Sequence, residues 1–289
     1  AKVMYAAHRD SGTARRLAAA GLPVLEVPHR YVSSEETSIL SLRHGGLAKP
    51  MTKRAPFVYG GRDSHGRRIP PTVVLNAETT WRIHQIHTDG PEWFRGHGTP
   101  EEPGPRLVSL GGAVTAPGVV EAASGMRLLS IIDAAGGLDP AAPGVLVGGL
   151  GGVFLTPDEA RTAIWSGPGM AEFGGSMGPG IVQVLDPSRC PVDVAAELIR
   201  YGAGESAGQC GPCMFGLPSI AADWDELVHD PNRETLTRLR MRLGEVKGRG
   251  ACHHPDGVSR FAGSALRVFL PHLHEHVAGA CHLTRRSHV

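Results

Sequence analysis

Three cysteines constrain this chain more than any other feature. Cys210 and Cys213 stand in a C-x-x-C spacing within ESAGQCGPC (205–213), and Cys252 follows 39 residues later in GRGACHHPDG (248–257). Two thiolates three residues apart on a turn can grip one metal ion or two corners of a cluster. Gly208 and Gly211 let backbone N–H groups approach the negative sulfurs. If Cys252 completes the set, the helical segments between must fold back on themselves. The spacing admits an iron–sulfur centre, which normally takes four thiolates, and a tetrahedral Cys3His zinc site completed by His253 or His254. A metal-free thiol pair is the third reading. Cys190 and Cys281 have no cysteine partner nearby in sequence and read as buried, inert thiols.

Composition narrows the setting of that chemistry. Five cysteines in 289 residues are too few and too scattered for a disulfide scaffold, which favours metal or redox use in a reducing, cytoplasmic compartment. Lys plus Arg total 29 and Asp plus Glu total 28, a formal charge of +1 that leaves no electrostatic footprint for nucleic acid. The longest apolar stretches, such as 145–155, are broken by glycines and fall well short of the roughly 20 residues a spanning helix needs. No charged leader with an apolar core opens the chain.

The hydrophobic pattern divides the chain in three. Residues 3–7, 11–20 and 24–27 read as strand, helix and strand; a Gly/Pro/Lys/Arg-rich loop follows over 45–68, then a short strand at 72–75 and a helix at 78–87. After a Pro/Gly-rich hinge at 99–105, short strands at 106–110, 118–121, 145–147 and 181–185 surround one helix at 128–135, as in a small β-grasp-like α+β domain. From Val192 onward the spacing is helical, with amphipathic segments at 192–201, 235–243 and 259–269.

Other chemistry finds little support. His272, His274 and His276 in PHLHEH alternate by two and do not converge on one helix face; only His272 and His276 share one, and the segment reads as a solvated tail. GGSMG (174–178) is not a nucleophile elbow. Gly148 to Gly152 does not open a long helix as a dinucleotide fingerprint should.

At the cysteines the sequence resembles a known family. ESAGQCGPC is similar to the E-S-C-G-x-C-x-P-C motif of the flavoprotein subunit of NADH:quinone oxidoreductase, a family shared with NAD-linked hydrogenases and formate dehydrogenases. Further likenesses follow in the family's order: YVSSEETSIL (31–40), PTVVLNAETTW (71–81), VGGLGGVFL (147–155) and GSMGPGIVQVLDPSRCPVD (175–193). The resemblance runs from about residue 24 to residue 276. It implies cluster ligands at Cys210, Cys213 and Cys252. Ala207 stands where the family has its first cysteine, so the cluster would be [4Fe–4S] with one non-cysteine ligand, or [3Fe–4S]. It also implies an FMN and NADH pocket to which Tyr31, Glu35, Glu36, Phe57, Asn76 and Thr79 contribute, with Phe57 stacking on the nicotinamide nucleotide. Ser34 and Leu75 replace the family's usual Gly and Asn.

The fold implied is the C-terminal part of an α/β FMN/NADH-binding domain over 1–105, a β-grasp-like (SLBB) domain over 106–190, and an iron–sulfur-binding helical bundle over 191–289. The family's glycine-rich phosphate loop has no match in the first 30 residues, so an N-terminal portion is expected to be missing and the chain by itself to hold FMN and NADH weakly or not at all. The activity implied is electron transfer from NADH through FMN to the cluster, with ferredoxin-like, quinone-reductase or other acceptor-reductase subunits as partners. Such a subunit would be cytoplasmic and peripheral to a membrane complex. The rival is a zinc-stabilised or cofactor-free interaction module derived from the same family.

Overall fold

The computed structural model describes residues 2–53, 55–63, 65–278, 281 and 283. The first unit begins with β1 (Tyr5–His8) and β2 (Val24–Val27), paired in parallel and joined by α1 (Gly12–Ala19). Ser11 caps that helix by accepting the Ala14 N–H at 3.0 Å. Next come a 3-10 turn (Tyr31–Ser34) and α2 (Glu36–Arg43). The loop beyond them is pinned by a small core of Leu40, Met51, Phe57 and Ile69 and by a two-stranded hairpin, β3 (Gly61–Arg62) with β4 (Arg68–Ile69). The helices α3 (Ala77–Asp89), capped by Asn76, and α4 (Pro91–Arg95) follow. The strand expected at 72–75 does not form. Pro70 and Pro71 just before it have no N–H to donate to a ladder, and Val73 and Leu75 lie exposed.

The second unit is a five-stranded mixed sheet. Its strands β5 (Pro105–Gly112), β6 (Gly118–Ala123), β8 (Val145–Val147), β9 (Val153–Leu155) and β11 (Ile181–Val184) run in the order β6-β5-β11-β8-β9. The pair β5 and β11 is parallel and every other neighbour antiparallel. A separate small pair joins β7 (Met126–Arg127) to β10 (Ile164–Trp165). The helices α5 (Leu128–Asp133), α6 (Pro157–Thr162) and α7 (Gly167–Ala171) complete the unit. Leu128, Ile131 and Ile132 of α5 are buried with Val145, Val147, Val153 and Leu155 in one core, while Leu146 and Phe154 belong to the core on the other side. Alternate side chains of β8 and β9 thus enter different cores, as the period of two requires, and a strand covered on both faces has no polar alternation.

That second core is filled by four helices, α8 (Pro191–Gly204), α9 (Leu217–His229), α10 (Arg233–Val246) and α11 (His254–Val277). Pro191 supplies a preset φ at the start of α8, whose buried Val192, Ala195, Ala196 and Ile199 share one stripe. Trp224 of α9, fully buried, donates its indole N–H to the Val192 carbonyl at 3.0 Å. Phe154 of the sheet meets Phe261 and Phe269 of α11 at ring distances of 4.8 and 4.9 Å. Among the described residues no helix is long and apolar enough to cross a membrane.

Candidate functional site

The cysteine loop begins where α8 ends. Ala207 is buried, Gly208 takes a left-handed φ of +62°, and the chain then enters a π-helical turn, Pro212–Gly216, that feeds α9. Such widened turns recur at functional sites because they re-aim side chains without ending the helix. Cys213 sits in this turn, buried, with Cys210 just ahead of it and half-buried. Cys252 arrives from the far side, just ahead of α11, after α9 and α10 have run out and back. This return brings Cys252 near enough for its charge to bear on Cys213, and that of Cys210 to bear on it.

The surroundings of the three sulfurs suit a bound group with negative thiolates. Ala251 and Cys213 donate backbone N–H groups to the Cys210 sulfur, Gly208 donates to Cys213, and His254 donates to Cys252. Burial works against ionisation of Cys210, but those N–H groups and the Cys213 thiol hold it below the ordinary thiol range. Cys213 is pushed up to about 12, first by burial and then by Cys210 and Cys252. Burial also raises Cys252; the charges of Glu35, Cys210 and Asp256 add to it. Metal-free, burial and their mutual charge work against Cys213 and Cys252 ionising alongside Cys210. A positively charged centre removes that conflict, so the donor set fits three corners of an iron–sulfur cluster. Ala207, which stands where the resemblance puts the family's first cysteine, is buried, and its methyl offers no ligand.

Among the described residues, neither His253 nor His254 joins the three thiols in a set of ligand atoms spaced for a single ion. His254 is committed through Nε2 to the Gly202 carbonyl at 2.8 Å, and the His253 side chain is fully exposed, with Nδ1 3.4 Å from Asp256. Among the described residues, ligand atoms packed to the spacing of a single ion occur elsewhere, at Cys190, His272, His276 and Cys281.

The residues matched to a flavin pocket divide by position. Tyr31 lies against the cysteine site: its N–H donates to Glu205 at 2.7 Å and its ring meets that of His254 at 5.3 Å. Arg30 donates to the Gly204 carbonyl at 2.7 Å, and Gln209 reaches back to the Pro50 carbonyl. Glu35 caps α2, accepting N–H groups of Thr37 and Ser38, and its charge reaches Cys252. Glu36 pairs with Lys53. Asn76 accepts the Thr79 N–H at 2.7 Å as the cap of α3, and both residues are exposed. Phe57 is only 4% exposed and belongs to the small core with Leu40, Met51 and Ile69 rather than presenting a free face.

One group departs from the sequence reading. Cys190 and His276 are buried and His272 and Cys281 half-buried, all four together, where lone thiols and a solvated tail were expected. A signal was present in the four-residue spacing of His272 and His276, which places both on one helix face. Only the fold brings Cys190 to them.

Comparison with known proteins agrees with this geometry. The family model of the NADH-ubiquinone oxidoreductase-F iron-sulfur binding region matches residues 193–276, a span that holds Cys210, Cys213 and Cys252. The chain is 30% identical over 256 residues to the F 2 subunit of NADH-quinone oxidoreductase from Rhizobium meliloti, covering 86% of this chain and 58% of that one. It is 30% identical over 226 residues to the HndC subunit of the NADP-reducing hydrogenase of Solidesulfovibrio fructosivorans, covering 77% and 45%. A crystal structure of NAD+-reducing [NiFe]-hydrogenase in the air-oxidised state superposes with a TM-score of 0.75 at 28% identity, over 95% of this chain and 46% of that one. The chain thus spans about half the length of the relatives it matches. In sequence and fold alike, it belongs to the family of the NADH-quinone oxidoreductase F subunit and its hydrogenase relatives.

Proposed function

We propose that this chain is the electron-accepting part of an NADH-dehydrogenase-type subunit, in which Cys210, Cys213 and Cys252 hold an iron–sulfur cluster at three corners. The observation that carries this is the gathering of the three thiols, each receiving backbone N–H groups, against the segment that bears Tyr31 and Glu35. The contact of Tyr31 with His254 and Glu205 supports a relay from flavin to cluster, since Tyr31 is among the residues matched to the flavin pocket. Flavin, when bound, takes two electrons together from NADH and releases them singly, which a one-electron cluster can accept.

The chain's own residues supply the setting. Backbone N–H groups offset thiolate charge and thereby tune the potential. Burial of Cys213 and Ala207 keeps water from that side. Tyr31, Glu35, Glu36, Asn76 and Thr79 would line the flavin and nucleotide side, with Phe57 supporting it from the small core. We read the chain as three units: 1–105 as the later part of the flavin domain, 106–190 as the β-grasp (SLBB-like) unit and 191–289 as the cluster-binding bundle. Tyr201, Met214 and Phe215, exposed beside the cysteine loop, suit the docking of another redox subunit. Such an assembly would work in the cytoplasm, peripheral to a membrane complex.

The test is iron and sulfide per chain after anaerobic reconstitution of Cys210→Ser, Cys213→Ser, Cys252→Ser and, as control, Cys281→Ser. Each of the first three should lose cluster while the control keeps it. Equal iron in all four would refute the ligand assignment.

A further inference from the structure

The four residues left over by the iron–sulfur reading form a second constellation. Cys190 lies at the start of α8, His272 and His276 stand one turn apart near the end of α11, and Cys281 follows that helix. Their ligand atoms all lie within 4.8 Å of one another. The Cys190 sulfur is 3.5 Å from Nε2 of His272 and 3.2 Å from Nε2 of His276, and the Cys281 sulfur is 3.4 Å from Nε2 of His272. A tetrahedral zinc ion with bonds of about 2.3 Å to sulfur and about 2.0 Å to nitrogen sets sulfur-to-nitrogen edges of about 3.5 Å. The observed edges match. An iron–sulfur cluster would hold its ligands much farther apart.

The groups that would orient the histidines are also in place. Nδ1 of His276 meets the Val228 carbonyl at 3.0 Å, and Nδ1 of His272 meets the Glu275 carboxylate at 2.8 Å. An N–H donated from each Nδ1 leaves the Nε2 lone pairs turned to the common centre, the arrangement in which metal-bound histidines are held.

We propose that Cys190, His272, His276 and Cys281 form a structural Cys2His2 zinc site, distinct from the iron–sulfur centre. On binding, both thiols lose a proton to solvent, and two thiolates with one Zn2+ make a neutral buried centre. The four-ligand set leaves no open position, so the ion would be structural. It ties the end of α11 and Cys281 to the start of α8, with Val228 of α9 held through His276. Cys190 and Cys281 lie outside the span matched by the family's iron–sulfur region, and His272 and His276 lie at its end, so that region does not contain the four-residue set.

Zinc K-edge absorption on the full chain, purified without added metal, tests this because it is blind to iron. About one zinc per chain is expected, with two sulfur and two nitrogen neighbours. His272→Ala and Cys281→Ser should lose the zinc and keep the iron. Glu275→Gln, at an exposed position that should not disturb folding, should weaken zinc about tenfold in chelator competition. Three sulfur neighbours would move the zinc to Cys210, Cys213 and Cys252, overturning this proposal and the iron–sulfur reading together. Absence of zinc, or a Cys190–Cys281 disulfide detected by alkylation and mass, would overturn the zinc site and leave the iron–sulfur reading intact.

Discussion

Gly208 shows how the cysteine loop depends on one backbone angle. Its φ of +62° lies in the left-handed region, and this conformation lets its N–H reach the Cys213 sulfur. A Cβ added there would meet no heavy atom within 4 Å, so Gly208→Ala carries no steric clash and its cost is conformational. The left-handed region costs an L-residue about 1–2 kcal/mol. Loss of glycine's freedom in the unfolded chain returns about 0.4–1 kcal/mol, leaving a net destabilisation of about 1 kcal/mol. For a chain of 289 residues, with an unfolding entropy of about 2.1 cal/mol/K per residue, that lowers Tm by about 2 °C. Asn enters the left-handed region far more readily, so Gly208→Asn should sit within a few tenths of a kcal/mol of wild type. Thermal unfolding of the three proteins side by side is the assay. If Asn is as harmful as Ala, or Ala lowers Tm by more than about 10 °C, the loss is not a backbone effect and the conformational explanation fails.

Phe154→Ala should cost about 3–5 kcal/mol in denaturant unfolding, because its buried ring fills the junction between the sheet and α11; a loss below about 1 kcal/mol would mean the two units do not share that core. Glu159 should contribute an acid-sensitive share of stability. Burial opposes its ionisation, but Arg267 and Thr156 win and hold the carboxyl below its ordinary 4.5. The contribution is therefore complete above pH 4.5 and fades as pH falls through the lower folded value, so Glu159→Gln should flatten stability between neutral and acid pH. An unchanged slope would count against the pair. Ala207→Cys should supply a fourth thiolate: on air exposure, EPR should reveal a three-iron signal in wild type and none in the variant. Identical oxygen stability would mean that Ala207 does not occupy a ligand position.

The sequence was most legible where residue types carried chemistry or strict periodicity. Cys210, Cys213 and Cys252 stood out by residue type and spacing, and the apolar stripe of 192–201 foretold α8. Strand β9 was missed because Val153, Phe154 and Leu155 are all buried, which leaves no alternation to read. The expected strand at 72–75 had β-forming residues but followed two prolines, Pro70 and Pro71, that have no N–H to donate. Phe57 carried an aromatic match, yet tertiary packing places it in a core. The Cys190, His272, His276 and Cys281 group was hidden by distance: Cys190 and His272 lie 82 residues apart and touch only once α8 and α11 pack. His274, exposed between the two inward histidines, disguised their helical spacing.

Everything proposed for the redox role rests on Cys210, Cys213 and Cys252 binding an iron–sulfur cluster in this chain. The decisive experiment is anaerobic purification followed by iron and sulfide determination, with EPR of the dithionite-reduced and air-oxidised protein. Iron and acid-labile sulfide should appear in near-equal amounts, about three to four of each per chain, with a paramagnetic cluster signal that disappears in Cys252→Ser. A protein with neither iron nor sulfide after anaerobic reconstitution, or one whose cluster is untouched in Cys252→Ser, would contradict the assignment.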